Sequence, residues 1–498
     1  MKYVMGVDLG TSAVKVLLAA KDGSIRAEAS CNYPLHQEKS GWSEQDPEDW
    51  VRGTFESLQV VLRQSGVSAA DIEGLSFSGQ MHGLVLLDSE NRPVRRAILW
   101  NDTRTTEQCR EIERTLEERL LHITKNPALE GFTLPKILWV RQHEREVFRK
   151  AHRFVLPKDY VRYRLTGELH TDLSDAAGTL MLDVEKSTWS QDVLRSFGIP
   201  ESFCPPLVES GAYIGTINKE TSARSGLSAA AKVFAGGADN ACGAIGAGIL
   251  SSGLTLCSIG TSGVILAYEE DHRADYRGKA HLFHHGKSGA FYSMGVTLAA
   301  GYSLSWFRSV FADSESFGAL AEGVERLPPG SNGLLFTPYL VGERTPHADA
   351  DIRGSFIGID GGHRREHFVR AVMEGITFSL NETIDLFRAV GKKTDKIVSI
   401  GGGAKNPVWL QMQADIFQAE VIALKNEQGP GLGAAMLAAV GCGWFASLDD
   451  CASYFVKKER SYCPDPGAVK QYEKLFKLYR EVYTQTKRLS AALSSFRI

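Results

Sequence analysis

Leu9-Gly10-Thr11-Ser12-Ala13-Val14, near the start of the chain, is echoed half a chain later by Ile259-Gly260-Thr261-Ser262-Gly263-Val264. A β-prone run precedes each stretch (residues 3–8 and 254–258) and another follows it (residues 14–19 and 264–268). Gly-Thr-Ser supplies turn chemistry between the runs, so each stretch predicts a hairpin. Two such hairpins, one opening each half of 498 residues, predict two related lobes, in keeping with a length too great for one compact core.

Outward from the hairpins, strand-like runs at 72–77 and 84–88 alternate with a charged helical pattern at 107–121, which argues for an α/β architecture. Late in the chain, residues 396–400 form a β-rich run ending in Gly401-Gly402-Gly403. Residues 431–440 are small and suit a closely packed helix; both features fit a nucleotide-binding lobe. Residues 469–496 carry charged and apolar residues at helical spacing and read as a solvated amphipathic closing helix.

Composition is that of an ordinary globular protein, with 43% hydrophobic and 23% charged residues. Lys and Arg number 56 against 59 Asp and Glu, so no basic field attracts nucleic acid or an anionic membrane. The apolar opening is interrupted by Asp8, Gly10 and Lys15, and no run of about 18 apolar residues follows, so a soluble cytoplasmic protein is expected. The eight cysteines never form Cys-x-x-Cys, which argues against zinc or a redox pair. Cys242 and Cys257 lie in runs of small apolar residues and read as small hydrophobes.

Familiar phosphate-binding patterns fail. Gly286-Lys287-Ser288 has His281 where a P-loop needs its first glycine, and neither Gly429-x-Gly431-x-Gly433 nor Gly243-x-x-Gly246-x-Gly248 has dinucleotide spacing. What remains are the two Gly-Thr-Ser turns, whose N–H groups and hydroxyls can surround phosphate oxygens from two sides if the lobes face one another. Asp8 ends a predicted buried strand beside the first turn. It suits either a cap of its own turn or a magnesium ligand. Asp239, in Ala235-Gly236-Gly237-Ala238-Asp239-Asn240, precedes a small-residue helix. It is read either as an N-cap or, preferentially, as a carboxylate that takes the proton of an attacking alcohol.

At this point the chain resembles, over essentially its whole length, the FGGY carbohydrate kinases of the actin–hexokinase–heat-shock-protein ATPase superfamily. Gly131-x-Thr133-x-x-Lys136-Ile137-x-Trp139-Val140-x-Gln142-His143 is similar to the family's first signature. Gly354-x-Phe356-x-Gly358-Ile359, followed by His367-Phe368 and Ala371-Val372-Met373-Glu374, is similar to the second. Ser78-Gly79-Gln80-Met81-His82-Gly83, Leu99-Trp100-Asn101-Asp102-Thr103-Arg104, Leu156-Pro157-Lys158-Asp159-Tyr160 and Gly342-Glu343-Arg344-Thr345-Pro346-His347 resemble most closely the members that phosphorylate D-xylulose. Ala238 departs from the third glycine that many members carry there.

The resemblance implies two ribonuclease-H-like lobes around a cleft, residues 1–246 binding sugar and residues 247–498 binding nucleotide. It implies ATP and Mg2+ as cofactors, D-xylulose as acceptor, and an arrangement compatible with a homodimer. Asp239 is then the general base, and Met81, His82 and Asn240 contact the sugar. Asp8 acts on magnesium or the transferring phosphoryl group. Thr11, Ser12, Gly260 and Thr261 face the phosphates, while Gly402, Gly403 and Asn406 border the adenosine. Read without the family, His82 is a satisfied structural histidine. Asp102 with Arg104, and Glu343 with Arg344, read equally as local ion pairs or as ligand contacts. The alternatives are a family member acting on ribulose, gluconate or glycerol, or a non-kinase ATPase switch of the same superfamily. Against the switch stands the lack of a separate peptide-binding domain after the second lobe.

Overall fold

The structure is a computed structural model and describes residues 1–496. Both hairpins form. Tyr3–Leu9 and Ala13–Ala20 pair antiparallel, closing at Leu9↔Val14. Leu254–Ile259 and Gly263–Glu269 do the same, closing at Ile259↔Gly263. Each hairpin seeds a seven-stranded sheet of matching order.

In the first sheet Ile25–Asn32 pairs antiparallel with the hairpin's second strand. Ile72–Gly79 and then Lys232–Phe234 extend the other side in parallel. In the second sheet Phe291–Thr297 takes the former place, and Lys396–Gly401 and Glu420–Leu424 the latter. Three antiparallel strands followed by two parallel ones is the ribonuclease-H-like arrangement. Parallel strands demand cover on both faces, and Val4, Met5, Val7 and Leu9 in the first central strand are fully buried.

The small-residue helix Pro430–Gly441 belongs to the second half of the chain yet packs on the first sheet and on helix Asp239–Gly246. A Cβ on Gly6 would stand 1.9 Å from the Gly431 carbonyl oxygen, and one on Gly433 1.9 Å from that of Cys242. Only glycine permits backbones this close. The helix that begins with Asp239 is thereby clasped by a helix of the second half that itself lies against the first sheet.

Two expectations are corrected. The helical pattern at 107–121 breaks into Thr106–Leu116 and Glu118–Thr124, with Glu117 at φ 50°. The break lets Leu120 and Ile123 turn into the same core as Ile112 and Leu116, a tertiary demand that outweighs helical spacing. The run at 84–88 shortens to Val85–Leu87 and pairs with Arg153–Val155 in a separate ribbon. The closing helix spans Pro466–Leu493, and among the described residues no helix is long and apolar enough to cross a membrane.

Candidate active site

Where Ile72–Gly79 runs parallel to the first strand, Asp8 stands in register with Ser78 on one side and Lys15 on the other. Burial lifts the Asp8 carboxyl to about 6, against the Ser78 hydroxyl and the Lys15 charge, which favour ionisation. Past the strand end, the Gln80 N–H donates to the Leu9 carbonyl (2.8 Å). The chain then turns through His82 at φ 68°, a left-handed conformation that histidine adopts more readily than most residues.

The turn is held from below. Thr133 Oγ1 (3.0 Å) and Lys136 Nζ (3.2 Å), both from the first signature, donate to the His82 carbonyl. Burial pushes His82 down to about 3, so its ring is neutral. Nδ1 lies 2.6 Å from the Gly178 carbonyl, which can only accept. The proton therefore sits on Nδ1, and Nε2 is left as an acceptor.

Asp239 is the first residue of its helix. Ala238 holds the N-cap position without a side-chain bond, so the Asp239 carboxylate does not cap the helix. It accepts from the Asn240 N–H (2.6 Å) and from Asn240 Nδ2 (2.9 Å). Burial, and then the nearby Asp8 charge, raise Asp239 to about 7.

The loop that presents it is pinned twice. Arg162 Nη1 donates to the Ala235 carbonyl (2.6 Å), and the Ala238 N–H donates to Ser174 Oγ (2.9 Å). Behind the loop, Lys158 sits among Asp159, Asp172 and Asp175 in a fully buried ion network. Three acids around one lysine cannot all stay ionised at low cost, and burial drives Asp175 well above the usual carboxylate range. This support was missed at the sequence level, although Lys158 and Asp159 lie inside a quoted motif.

Met81, His82, Asp239 and Asn240 line one cavity of about 200 Å³. Asn240 Nδ2 lies 3.6 Å from Met81 Sδ. The second half closes the cavity with Ser262, Val264, Met294, Val296 and Arg344. Trp100 joins the wall and donates from Nε1 to Thr11 Oγ1 at 2.9 Å, tying the first Gly-Thr-Ser turn to the cavity; Ser12 is exposed at that turn.

The other expected residues gather elsewhere. Gly260 and Thr261 are exposed at the second turn, their carbonyls taking the N–H groups of Gly301 (2.8 Å) and Tyr302 (3.1 Å). Gly401 is in register with Ile259, which sets Gly402 and Gly403 beside that turn. Asn406 Oδ1 caps helix Pro407–Phe417, accepting from the N–H groups of Val408 (2.9 Å) and Trp409 (3.2 Å). These residues gather at the end of the second sheet and do not themselves line the cavity, although Ser262 of the same turn does.

The two open pairs resolve differently. Arg104 binds Asp102 and Glu44, each at 2.7 Å, and stacks on Trp42, so it is structural. Glu343 and Arg344 form no side-chain pair. The Glu343 carboxyl accepts from the N–H groups of Leu298 (3.0 Å) and Arg344 (2.8 Å), and Arg344 faces the cavity. Trp100 and Arg344 both lay inside quoted motifs, but nothing local marked them as cavity walls.

Two family domains match the chain in succession. The N-terminal domain of the FGGY family of carbohydrate kinases matches residues 3–246, and its C-terminal domain matches residues 255–442. The xylulose kinase of Bacillus subtilis (strain 168) is 61% identical over 497 residues, covering 100% of both chains. The crystal structure of ligand-bound xylulose kinase from Lactobacillus acidophilus superposes with a TM-score of 0.94 at 29% identity over 100% of both chains. Gluconate kinase from the same organism does so with a TM-score of 0.93, also at 29% identity and 100% of both chains. The chain belongs to the FGGY family of carbohydrate kinases.

Proposed function

We propose that the protein transfers the γ-phosphoryl group of ATP to O5 of D-xylulose, giving D-xylulose 5-phosphate and ADP. The observation that carries the chemistry is the Asp239 carboxylate, set in a cavity with Met81, His82 and Asn240 and raised to about 7. A base with a pKa near the operating pH is ionised often enough to act and basic enough to take a proton. Support for this acceptor among the family's sugars comes from full-length similarity to the Bacillus subtilis xylulose kinase.

In this reading Asp239 orients the O5 hydroxyl and accepts its proton as the O5–P bond forms and the bond from phosphorus to the ADP oxygen breaks. Such a transition state asks mainly for alignment and charge neutralisation. His82 Nε2 accepts from a sugar hydroxyl, and Asn240 Nδ2 donates to one. Thr11, Ser12, Gly260 and Thr261 face the phosphates, and Gly402, Gly403 and Asn406 border the adenosine.

Asp8 is the residue that would hold magnesium, which supplies charge neutralisation at the phosphoryl group. One carboxylate suits a cation carried in on nucleotide phosphates, and among the described residues no cluster of three or more His, Cys, Asp or Glu is built to hold a metal alone. Residues 1–246 supply most of the sugar side and residues 247–498 the nucleotide side, with Val264, Met294, Val296 and Arg344 completing the sugar wall.

A coupled ADP-release assay across D-xylulose, D-ribulose, gluconate, glycerol and xylitol tests this reading. D-Xylulose is expected to give the highest kcat/KM. Preference for gluconate or glycerol over every ketopentose would overturn the acceptor assignment.

A further inference from the structure

Arg344 lines the same cavity as Asp239 and His82. The next residue stitches it to the cavity wall: the Thr345 N–H donates to the Val296 carbonyl, and Thr345 Oγ1 accepts from the Val296 N–H, both at 3.0 Å. Neither acid near the guanidinium pairs with it. Glu343 is occupied by Leu298, by the Arg344 backbone and by Ser379 Oγ (3.1 Å). Glu130 accepts instead from Thr106 Oγ1 (3.1 Å). Among the described residues no carboxylate lies within ion-pairing distance of the Arg344 guanidinium.

A half-buried, unpaired guanidinium on a cavity wall is costly unless a ligand brings acceptor oxygens. Its charge is felt by His82 and His281, whereas Asp239 is coupled to Asp8. Both the donor and the base line this cavity, one from each half of the chain.

Elementary sugar chemistry says what this donor must recognise. A 2-ketopentose closes to a furanose by attack of O5 on C2, and in that form O5 is a ring oxygen with no proton to give. The hydroxyl to be phosphorylated exists only in the open chain, where C2 is a carbonyl. We infer that Arg344 donates to the C2 carbonyl oxygen of the open-chain ketose, selecting the acyclic form and leaving O5 free for Asp239. The inference rests on the D-xylulose reading above and makes Arg344 a specificity-determining residue contributed by the second half of the chain.

Xylitol is the discriminating probe, because it keeps the five-carbon chain and hydroxyls but has no carbonyl and cannot cyclise. Wild-type enzyme is expected to bind D-xylulose about tenfold or more tighter than xylitol by titration calorimetry. Arg344→Met is expected to raise KM for D-xylulose about tenfold or more, with kcat within about threefold and xylitol affinity little changed. Arg344→Lys, which keeps a donor, should recover part of the loss.

Equal weakening of both ligands, or an unchanged KM, would overturn the inference while D-xylulose turnover by wild-type enzyme upheld the acceptor reading. Absence of that turnover would overturn both. If Arg344→Met does not fold, Arg344→Lys and the wild-type ketose-to-polyol ratio decide, and a ratio near one overturns the inference.

Discussion

Replacing Asp239 with Asn should cost activity and add stability, with a pH dependence that identifies the cause. The carboxyl is lifted from 3.8 to about 7, first by burial and then by Asp8. At about 1.4 kcal/mol per pH unit, keeping it ionised in the folded protein costs at most about 4 kcal/mol. The sign follows from proton counting. Between about pH 4 and pH 7 the folded protein holds a proton that the unfolded chain has released. Stability therefore falls as pH rises through that window, and the whole cost is felt above it. Asn keeps the volume and can still accept from the Asn240 N–H, but it carries no charge to desolvate. Asp239→Asn should melt several degrees above wild type at pH 8, with the gap closing near pH 4, measured by calorimetry in matched buffers. In the ADP-release assay kcat should fall roughly 10²–10⁴-fold. A kcat within about threefold of wild type would reject the proton-acceptor role. A melting point lowered as much at pH 8 as at pH 5 would reject the desolvated carboxylate.

For the wild-type enzyme, kcat/KM should fall about tenfold per pH unit below roughly pH 7, and Asp8→Asn should move this limb to lower pH by removing the charge that raises Asp239; a limb that stays put would uncouple the two acids. His82→Asn tolerates the left-handed turn but removes the Nε2 acceptor, so kcat/KM for D-xylulose should drop about tenfold or more in steady-state kinetics; a loss under about threefold would make His82 scaffolding. Gly433→Ala forces a methyl toward the Cys242 carbonyl, 1.9 Å away, and should cost about 1–3 kcal/mol in thermal or urea unfolding; wild-type stability would show that the helix clasp yields freely. Because the expected phosphate-facing turns stand at the ends of two different sheets, D-xylulose and a non-hydrolysable ATP analogue together should reduce the radius of gyration in small-angle scattering, and unchanged dimensions would exclude a large hinge motion.

Residues that act through their own neighbourhood were legible in the sequence. The Gly-Thr-Ser turns carry their conformation in residue type, and the flanking β-prone runs need only pair across them, so both hairpins and the repeat were readable. Asp8 stood out because a carboxylate is expensive at the end of a buried strand, and Asp239, before a small-residue helix, because a carboxylate there can take the proton of an attacking alcohol. What the sequence left open depends on contacts between distant segments. Asn240 and Met81 are 159 positions apart, and the parallel pairing of Gly237–Ala238 with Ser78–Gly79, with the docking of Asp239–Gly246 on Pro430–Gly441, brings them to one cavity. The raised carboxyls of Asp8 and Asp239 arise from burial in the folded chain, a property no single segment has. The break at Glu117 answers to a core assembled from other elements. Arg344 was ambiguous for the same reason: its neighbour Glu343 looks like a partner along the chain, but the folded backbone sends that carboxyl to Leu298 and Ser379 and leaves the guanidinium facing the cavity. Local sequence determined the turns, the strands and the two candidate acids, because those follow from backbone preference and residue chemistry. Tertiary packing alone decided burial, charge state and which side chains share a cavity, because each is set by what long-range folding places around a group.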